Sequence, residues 1–295
     1  MRRASLFLLL FAFSSFGFSQ QRPAITGIAF VRMYASNMQA SEDFYGKTLG
    51  YDHVMRDGIL TYLVNDAQSL QLVPLPSPAP QARVAAIGFT TRNVRGLEKY
   101  LEAHSIKIDR PLAHGSFAVH DPEGHLVYFV QQRPASSKVI SPRAASHRII
   151  HTGFSVQSVD AENKFWHDIL GFTPYWHGGH TDNVVDWVST QVPDGSDWIE
   201  YMLNSGPHPN PHQLGSDYHF SLGTEHMSHV LTVLAHNQCQ GPNCTKTQMG
   251  RDGKVQLNLF DPDLTRVEFM EFKPTGRPCC SAFTVTRQPT PTENR

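Results

Sequence analysis

Two stretches of this 295-residue chain place ionisable side chains in apolar rows. In the alternating run Met227, His229, Leu231, Val233, residues two apart share a strand face, so the histidine sits among hydrocarbon. Trp198, Glu200 and Met202 repeat that pattern around a carboxylate. A desolvated carboxylate without a partner is strongly unfavourable, and a divalent cation held by imidazoles and carboxylates would compensate it. The ordinary alternatives are a hydrogen-bonded core histidine and, for Glu268, an exposed ion pair with Arg266 on the same face. His226, three residues from His229, would face the other side of the same strand. His177 and His180 flank Gly178 and Gly179 in a loop from which either imidazole could serve as acid or base.

The elements that must position these residues are repeated. Phe44-Tyr45 with Leu49-Gly50, and Phe165-Trp166 with Leu170-Gly171, end two helical patterns at a constant offset of 121 (165 − 44, 171 − 50). Asn37 and Ser158 suit the start of each helix, and Gly50 and Gly171 suit a left-handed stop. Strands are expected before each helix, at 28–33 and 149–156, with strand runs after it ending at 70–75 and 198–203. A shorter copy follows in each half: a strand at 86–91 with a helix at 94–104, and a strand at 229–234. Each half closes on an Asp-Pro turn, 121–124 or 261–263, leading into a last strand at 126–131 or 266–272. The reading is α+β, with four βαβββ modules arranged as two paired-module, curved-sheet domains.

Residues 1–19 are expected to be an export signal, with Arg2 and Arg3 before the apolar stretch Leu6 to Phe13 and small residues Gly17 and Ser19 before Gln20. The domains are then 24–132 and 147–274, joined by a Pro/Ser/Ala-rich linker at 133–146 and followed by an irregular tail at 275–295. The Pro-rich segment 206–226 is expected to be a loop over something. No later apolar run is long enough for a membrane span. A formal net charge of −1 argues against nucleic acid as a partner. An exported chain would keep Cys239, Cys244, Cys279 and Cys280 as disulfides, and the adjacent pair lacks the spacing that zinc knots favour.

Over residues 26–273 the chain resembles the vicinal oxygen chelate (VOC) superfamily, which includes glyoxalase I, bleomycin-resistance proteins and type I extradiol dioxygenases. The F-[YW]-x-x-[TI]-L-G-[YF] helix end and the D-P-[DE] turn, each seen twice, carry the resemblance. It implies a metal held by the first and last strand of each module in a half: His151, Glu200, His229 and Glu268. The matching positions of the first half, Phe30, Gln71, Ala86 and Tyr128, form no ligand set, so that copy is read as degenerate.

The resemblance implies one divalent metal, Fe, Mn, Ni or Zn, chelating a small-molecule substrate with neighbouring oxygens. Glu200 would be a fourth ligand or a general base. Glutamate there tilts toward the glyoxalase-like four-ligand type and weakens ring cleavage, while export disfavours glyoxalase I proper, whose thiol cofactor is chiefly cytosolic. The alternatives are a non-catalytic binding protein of the bleomycin-resistance type and an interaction scaffold.

Overall fold

A computed structural model describes residues 21–134, 140–285 and 287–293; the expected leader, 1–19, lies outside them. The first half contributes β1 (Ile25–Ala35), β2 (His53–Arg56), β3 (Ile59–Leu63), β4 (Ser69–Pro74), β5 (Val84–Thr91), β6 (Ile108–Ala113), β7 (Ser116–His120) and β8 (Leu126–Gln131). The second contributes β9 (Ile149–Ser155), β10 (Thr173–Gly178), β11 (Trp187–Gln191), β12 (Trp198–Met202), β13 (His219–Thr224), β14 (Thr247–Met249), β15 (Val255–Phe260) and β16 (Arg266–Glu271).

Each half forms one eight-stranded sheet with the same order, β2-β3-β4-β1-β5-β8-β7-β6 and β10-β11-β12-β9-β13-β16-β15-β14. In both, the first strand of one module pairs antiparallel with the first strand of the next, β1 with β5 and β9 with β13. Each of these strands also runs parallel to the last strand of its own module. Four strands, the first and last of each module, therefore lie side by side at the middle of each sheet. The expected α+β paired-module architecture is the one observed.

Helix α1 (Met38–Glu42) and helix α3 (Val159–Asn163) each run on into a wider π turn, Asp43–Thr48 and Lys164–Ile169. Asn37 caps α1 by accepting from the Ala40 amide, whereas Ser158 makes no side-chain cap bond. Gly50 and Gly171 follow these helices with φ of +84° and +76°, the left-handed stop their sequence suggested.

The second aromatic of each helix-end motif is fully buried and reaches the Asp-Pro turn of the opposite half. Tyr45 donates to Asp261 Oδ2 at 2.8 Å. Trp166 donates to Glu162 Oε2 at 2.7 Å, and Glu162 Oε1 in turn accepts the Glu123 amide at 3.2 Å. The aspartate that opens each turn organises it: Asp121 Oδ1 accepts the amides of Glu123 and His125, and Asp261 Oδ1 those of Asp263 and Thr265.

The two halves share one apolar core that includes Tyr45, Tyr62, Phe89 and Phe129 from the first and Phe154, Trp166, Phe220 and Phe269 from the second. Gln68 bonds both the carbonyl and the amide of Ile149 and the carbonyl of Ile28, so one side chain ties the starts of β1 and β9. Of the interdomain segment, residues 135–139 are outside the described set; Ala144 and Ala145 beyond them are buried, and the Ala145 amide bonds Leu49 O.

Two expectations fail between residues 206 and 236. The segment read as a loop contains helix α4 (Pro211–Asp217) and the whole of strand β13. The run read as a strand at 229–234 is instead helix α5 (Met227–His236). Its buried residues Met227, Val230 and Leu234 follow the spacing of a helix face. The first-half helix α2 (Val94–Ala103) buries Val94, Leu97 and Leu101 at the same spacing.

Candidate metal centre

The central strands of the second half bring three donor groups together, His151, Glu200 and His219, with a fourth, Glu268, against His151. His151 comes from β9, Glu200 from β12, His219 from β13 and Glu268 from β16. Strand register explains the convergence: Ser221 sits opposite His151, Glu268 lies beside Ser221, and Gly153 lies between Glu200 and His219. His151 Nε2 is 3.0 Å from His219 Nε2 and 3.2 Å from Glu268 Oε2, and His219 Nε2 is 3.5 Å from Glu200 Oε2. One donor atom each from His151, Glu200 and His219 lies within 4.8 Å of the others. Donors bound about 2.1 Å from one ion stand roughly 3.0–3.4 Å apart, so the spacing fits a divalent first-row metal.

The protonation chemistry fits as well. His219 Nδ1 lies 3.2 Å from the Asp217 carbonyl, which only accepts, so Nδ1 carries the proton and Nε2 turns its lone pair to the cluster. Burial, the Arg266 guanidinium and His151 hold His219 well below the usual imidazole range. Burial first, then Arg266 and Lys254, does the same for His151, so both rings are in the neutral form that metals take. Burial and the neighbouring Glu268 push Glu200 up to about 8, and burial pushes Glu268 up to about 7. Two carboxylates so raised are ones whose ionised form would gain from a nearby cation.

Arg266 and Lys254 provide part of that balance. Arg266 Nη2 donates to His219 Nε2 at 2.9 Å rather than pairing with Glu268 on an exposed face, and Glu268 is buried. Lys254 is fully buried, its Nζ 4.5 Å from the Trp198 ring and within 5.5 Å of Tyr175 and Phe283. Burial lowers its ammonium to about 8 against the opposing pull of Asp252, Glu268 and Glu200.

A cleft of about 360 Å³ opens onto Glu200 and Glu268. Its walls include Trp176, Trp187, Trp198 and Met270, and Trp198 stacks on His151 with ring centroids 4.7 Å apart. Gln256 and Arg251 add polar groups. The tail, read as irregular, covers one side of the cleft: Phe283 packs 4.9 Å from Tyr175, and the Thr284 amide bonds Tyr175 O.

Of the residues singled out from the sequence, His151, Glu200 and Glu268 are brought together and His229 is not. His229 is exposed on α5 and lines a different cavity, beside Arg148 and Phe272. The position assigned to it belongs to His219, because the strand comes ten residues earlier than the period-two reading placed it. His180 lines the cleft, its Nδ1 2.8 Å from Asp186 Oδ2. His177 is exposed, and its backbone bonds Ser281 away from the cleft's lining residues. Sequence reasoning also missed Lys254, Phe283 and Ser189, whose Oγ lies 3.3 Å from Glu200 Oε1.

The second aspect of the cysteine chemistry is resolved into pairs. Cys239 joins Cys244 across a short loop, and Cys279 joins its neighbour Cys280.

The chain is a duplicated paired-module sheet protein with a strand-borne His/Glu cluster at the middle of its second sheet. The family model for the Glyoxalase/Bleomycin resistance protein/Dioxygenase superfamily matches residues 27–129 and 148–269, and the chain belongs to that superfamily. Among solved structures it is similar to an extradiol ring-cleaving dioxygenase from B. fuscum, with TM-score 0.63 and 18% identity over 89% of this chain and 75% of that one. Homoprotocatechuate 2,3-dioxygenase from Arthrobacter globiformis is similar too, with TM-score 0.60 and 18% identity over 88% of this chain and 84% of the other. A complex of the Brevibacterium fuscum homoprotocatechuate enzyme with 3,4-dihydroxyphenylacetate gives TM-score 0.60 and 17% identity over 85% and 82%. Comparison with curated proteins gives no match.

Proposed function

We propose that this protein is an exported, divalent-metal-dependent enzyme acting on a small molecule with neighbouring oxygen atoms. One observation carries the reading: donor atoms of His151, Glu200 and His219 lie within 4.8 Å of one another, Glu268 stands 3.2 Å from His151, and the two carboxylates face a cleft with the two neutral imidazoles buried behind them. His151, His219 and Glu268 would hold the metal, with Glu200 as a fourth ligand or as the base released from it. A bound divalent ion would supply Lewis-acid polarisation of the chelated oxygens.

The chain's own residues supply the rest. Trp176, Trp187 and Trp198 line the cleft as aromatic surfaces suited to a planar substrate and keep water from it. Gln256 and Arg251 offer polar contacts. Asp186 holds His180 through Nδ1, leaving Nε2 as the nitrogen that can exchange a proton with substrate at the rim. Glu200 faces the cleft with Ser189 Oγ 3.3 Å from its Oε1, which places this carboxyl to take a proton from a bound substrate.

Metal analysis of the purified protein tests this directly. About one equivalent of a divalent metal is expected, lost in His151→Ala and His219→Ala and kept in His229→Ala. A protein that binds no metal, or one whose metal follows His229 instead of His219, would sink the reading. Oxygen uptake with catechols, run beside isomerase assays, then separates ring cleavage from proton-transfer chemistry. For export, the mature N-terminus found by sequencing protein from the cell envelope or medium is expected near Gln20.

A further inference from the structure

We infer that the cleft of the first half is a second ligand site, independent of metal, that binds a small carboxylate through Arg32. The register equivalences are complete. Phe30 faces Gly88 as His151 faces Ser221, and Gln71 and Ala86 flank Arg32 as Glu200 and His219 flank Gly153. Tyr128 lies beside Gly88 as Glu268 lies beside Ser221. The four positions that hold donors in the second half thus hold Phe30, Gln71, Ala86 and Tyr128 here, and the glycine between two of them is replaced by an arginine.

That replacement changes the charge of the cleft rather than merely filling it. In the second half a Cβ on Gly153 would come within 2.1 Å of the His219 ring, so arginine and histidine exclude each other at this pair of positions. With Ala86 in place of the histidine, the Arg32 side chain occupies the centre. Its Nε and Nη2 both donate to Gln71 Oε1, at 2.9 and 2.8 Å. Its guanidinium carbon lies 5.1 Å from both the Phe30 and the Tyr128 ring centroids. A fixed organic cation therefore stands among the counterparts of the metal ligands.

One edge of that cation is spoken for and the other is not. Gln71 takes the Nε edge; the Nη1/Nη2 edge, which forks onto carboxylates in two parallel bonds, has no partner among the described residues. In front of it is a cavity of about 280 Å³, close to the lower end of the roughly 300–1,000 Å³ usual for small-molecule sites. Arg56, Arg133 and His114 also line this cavity, against the acidic Asp57 and Asp66. Arg110 donates to the Tyr128 hydroxyl oxygen, so the phenol keeps its own proton to offer a ligand. A carboxylate on the open Arg32 edge, with the Tyr128 hydroxyl as a further donor and Ile59, Leu63 and Val130 in the same lining to receive a small ring, fits this cavity, so the ligand class is a single-ring carboxylate.

Calorimetric titration of the full mature chain with benzoate at low ionic strength tests the site, with benzamide as the uncharged analogue. One equivalent is expected to bind, unaffected by EDTA and by His151→Ala, with benzamide at least about 10-fold weaker. Arg32→Leu is expected to abolish binding. Arg32→Lys keeps charge and stem but not the fork, so it is expected to lose about 10-fold and carries the test if the leucine variant misfolds by circular dichroism. The inference is overturned by no benzoate binding up to roughly 10 mM, by binding unchanged in the folded Arg32 variants, or by binding that disappears with EDTA or His151→Ala. The last outcome would place the ligand in the second half and leave the metal reading standing.

Discussion

Single residues decide whether a strand-borne cluster becomes a site. His151, Glu200 and Glu268 were readable because each sits where a module's first or last strand must pass the middle of the sheet, and the repeat fixes those strands. His219 also carries a signal in the sequence, one weaker than the helix-end motifs. The second module of each half matches the other at a constant offset of 133 (219 − 86, 227 − 94), which pairs His219 with Ala86 and starts both helices together. The run Met227 to Val233 fits period two as well as period 3.6, and period two places the strand ten residues downstream of its true position. The residue that makes room for His219 is Gly153, and it gives a sharp test. Gly153→Ala puts a methyl within 2.1–2.4 Å of the His219 ring atoms, so the ring must turn away while the strand persists. Metal affinity is expected to fall by roughly 10- to 100-fold, as when the groups that orient a ligand are removed, with the circular dichroism spectrum unchanged. Unaltered affinity in a folded variant would show that His219 is not held there as a ligand.

At the scale of elements, the motifs that identified the repeat turn out to be contacts between halves rather than parts of the site. The buried aromatic of each helix end donates toward an Asp-Pro turn belonging to the other half, directly in Tyr45 and through Glu162 in Trp166. Sequence alone shows the motifs but not their partners, since those lie 216 residues apart for Tyr45 and Asp261. The contact at Glu162 has a pH signature. Burial and the charge of Asp121 push its carboxyl from 4.5 up to about 7. Between those two values the native state keeps a proton that the unfolded chain has already lost. Stability therefore falls as pH rises through that window and levels off above about 7. His125 adds to the decline: burial pulls its imidazole down, but the hydrogen bond and charge of Asp121 outweigh it, so its folded pKa is raised and stability is lost as pH passes it. Urea unfolding of Glu162→Gln against the parent, at about pH 5 and about pH 8, is expected to shift in favour of the variant at the higher pH by up to about 3 kcal/mol. Parallel behaviour of the two proteins across that range would contradict a proton held at this contact.

For the whole molecule, the repeat announces two domains, and the structure joins them into one core. Composition and spacing could not show this, because the shared core is built from ordinary apolar residues whose partners lie in the other half. Arg148 and Asp197 form a buried pair, and Asp197 Oδ2 also accepts the Ile28 amide at 2.8 Å, while Gln68 bonds both Ile28 and Ile149. Opening the halves would exchange the bonds of Ile28 to Asp197 and of Gln68 to Ile149 for bonds to water, at a net cost of roughly 0.5–1.5 kcal/mol each, and would expose the shared apolar core, at roughly 25 cal/mol per Å². The halves are therefore expected to unfold together. The sequence offers a convenient probe, since all four tryptophans, Trp166, Trp176, Trp187 and Trp198, lie in the second half. With Trp166, which packs on Phe89 of the first half, changed to Phe, the remaining three tryptophans report that half alone, whereas far-ultraviolet circular dichroism reports both sheets. Denaturant curves from the two signals are expected to coincide in a single transition. A circular dichroism curve with two steps, only one of them matched by fluorescence, would mean that the interface is weaker than its buried bonds and that the first half folds as a separable support for the second.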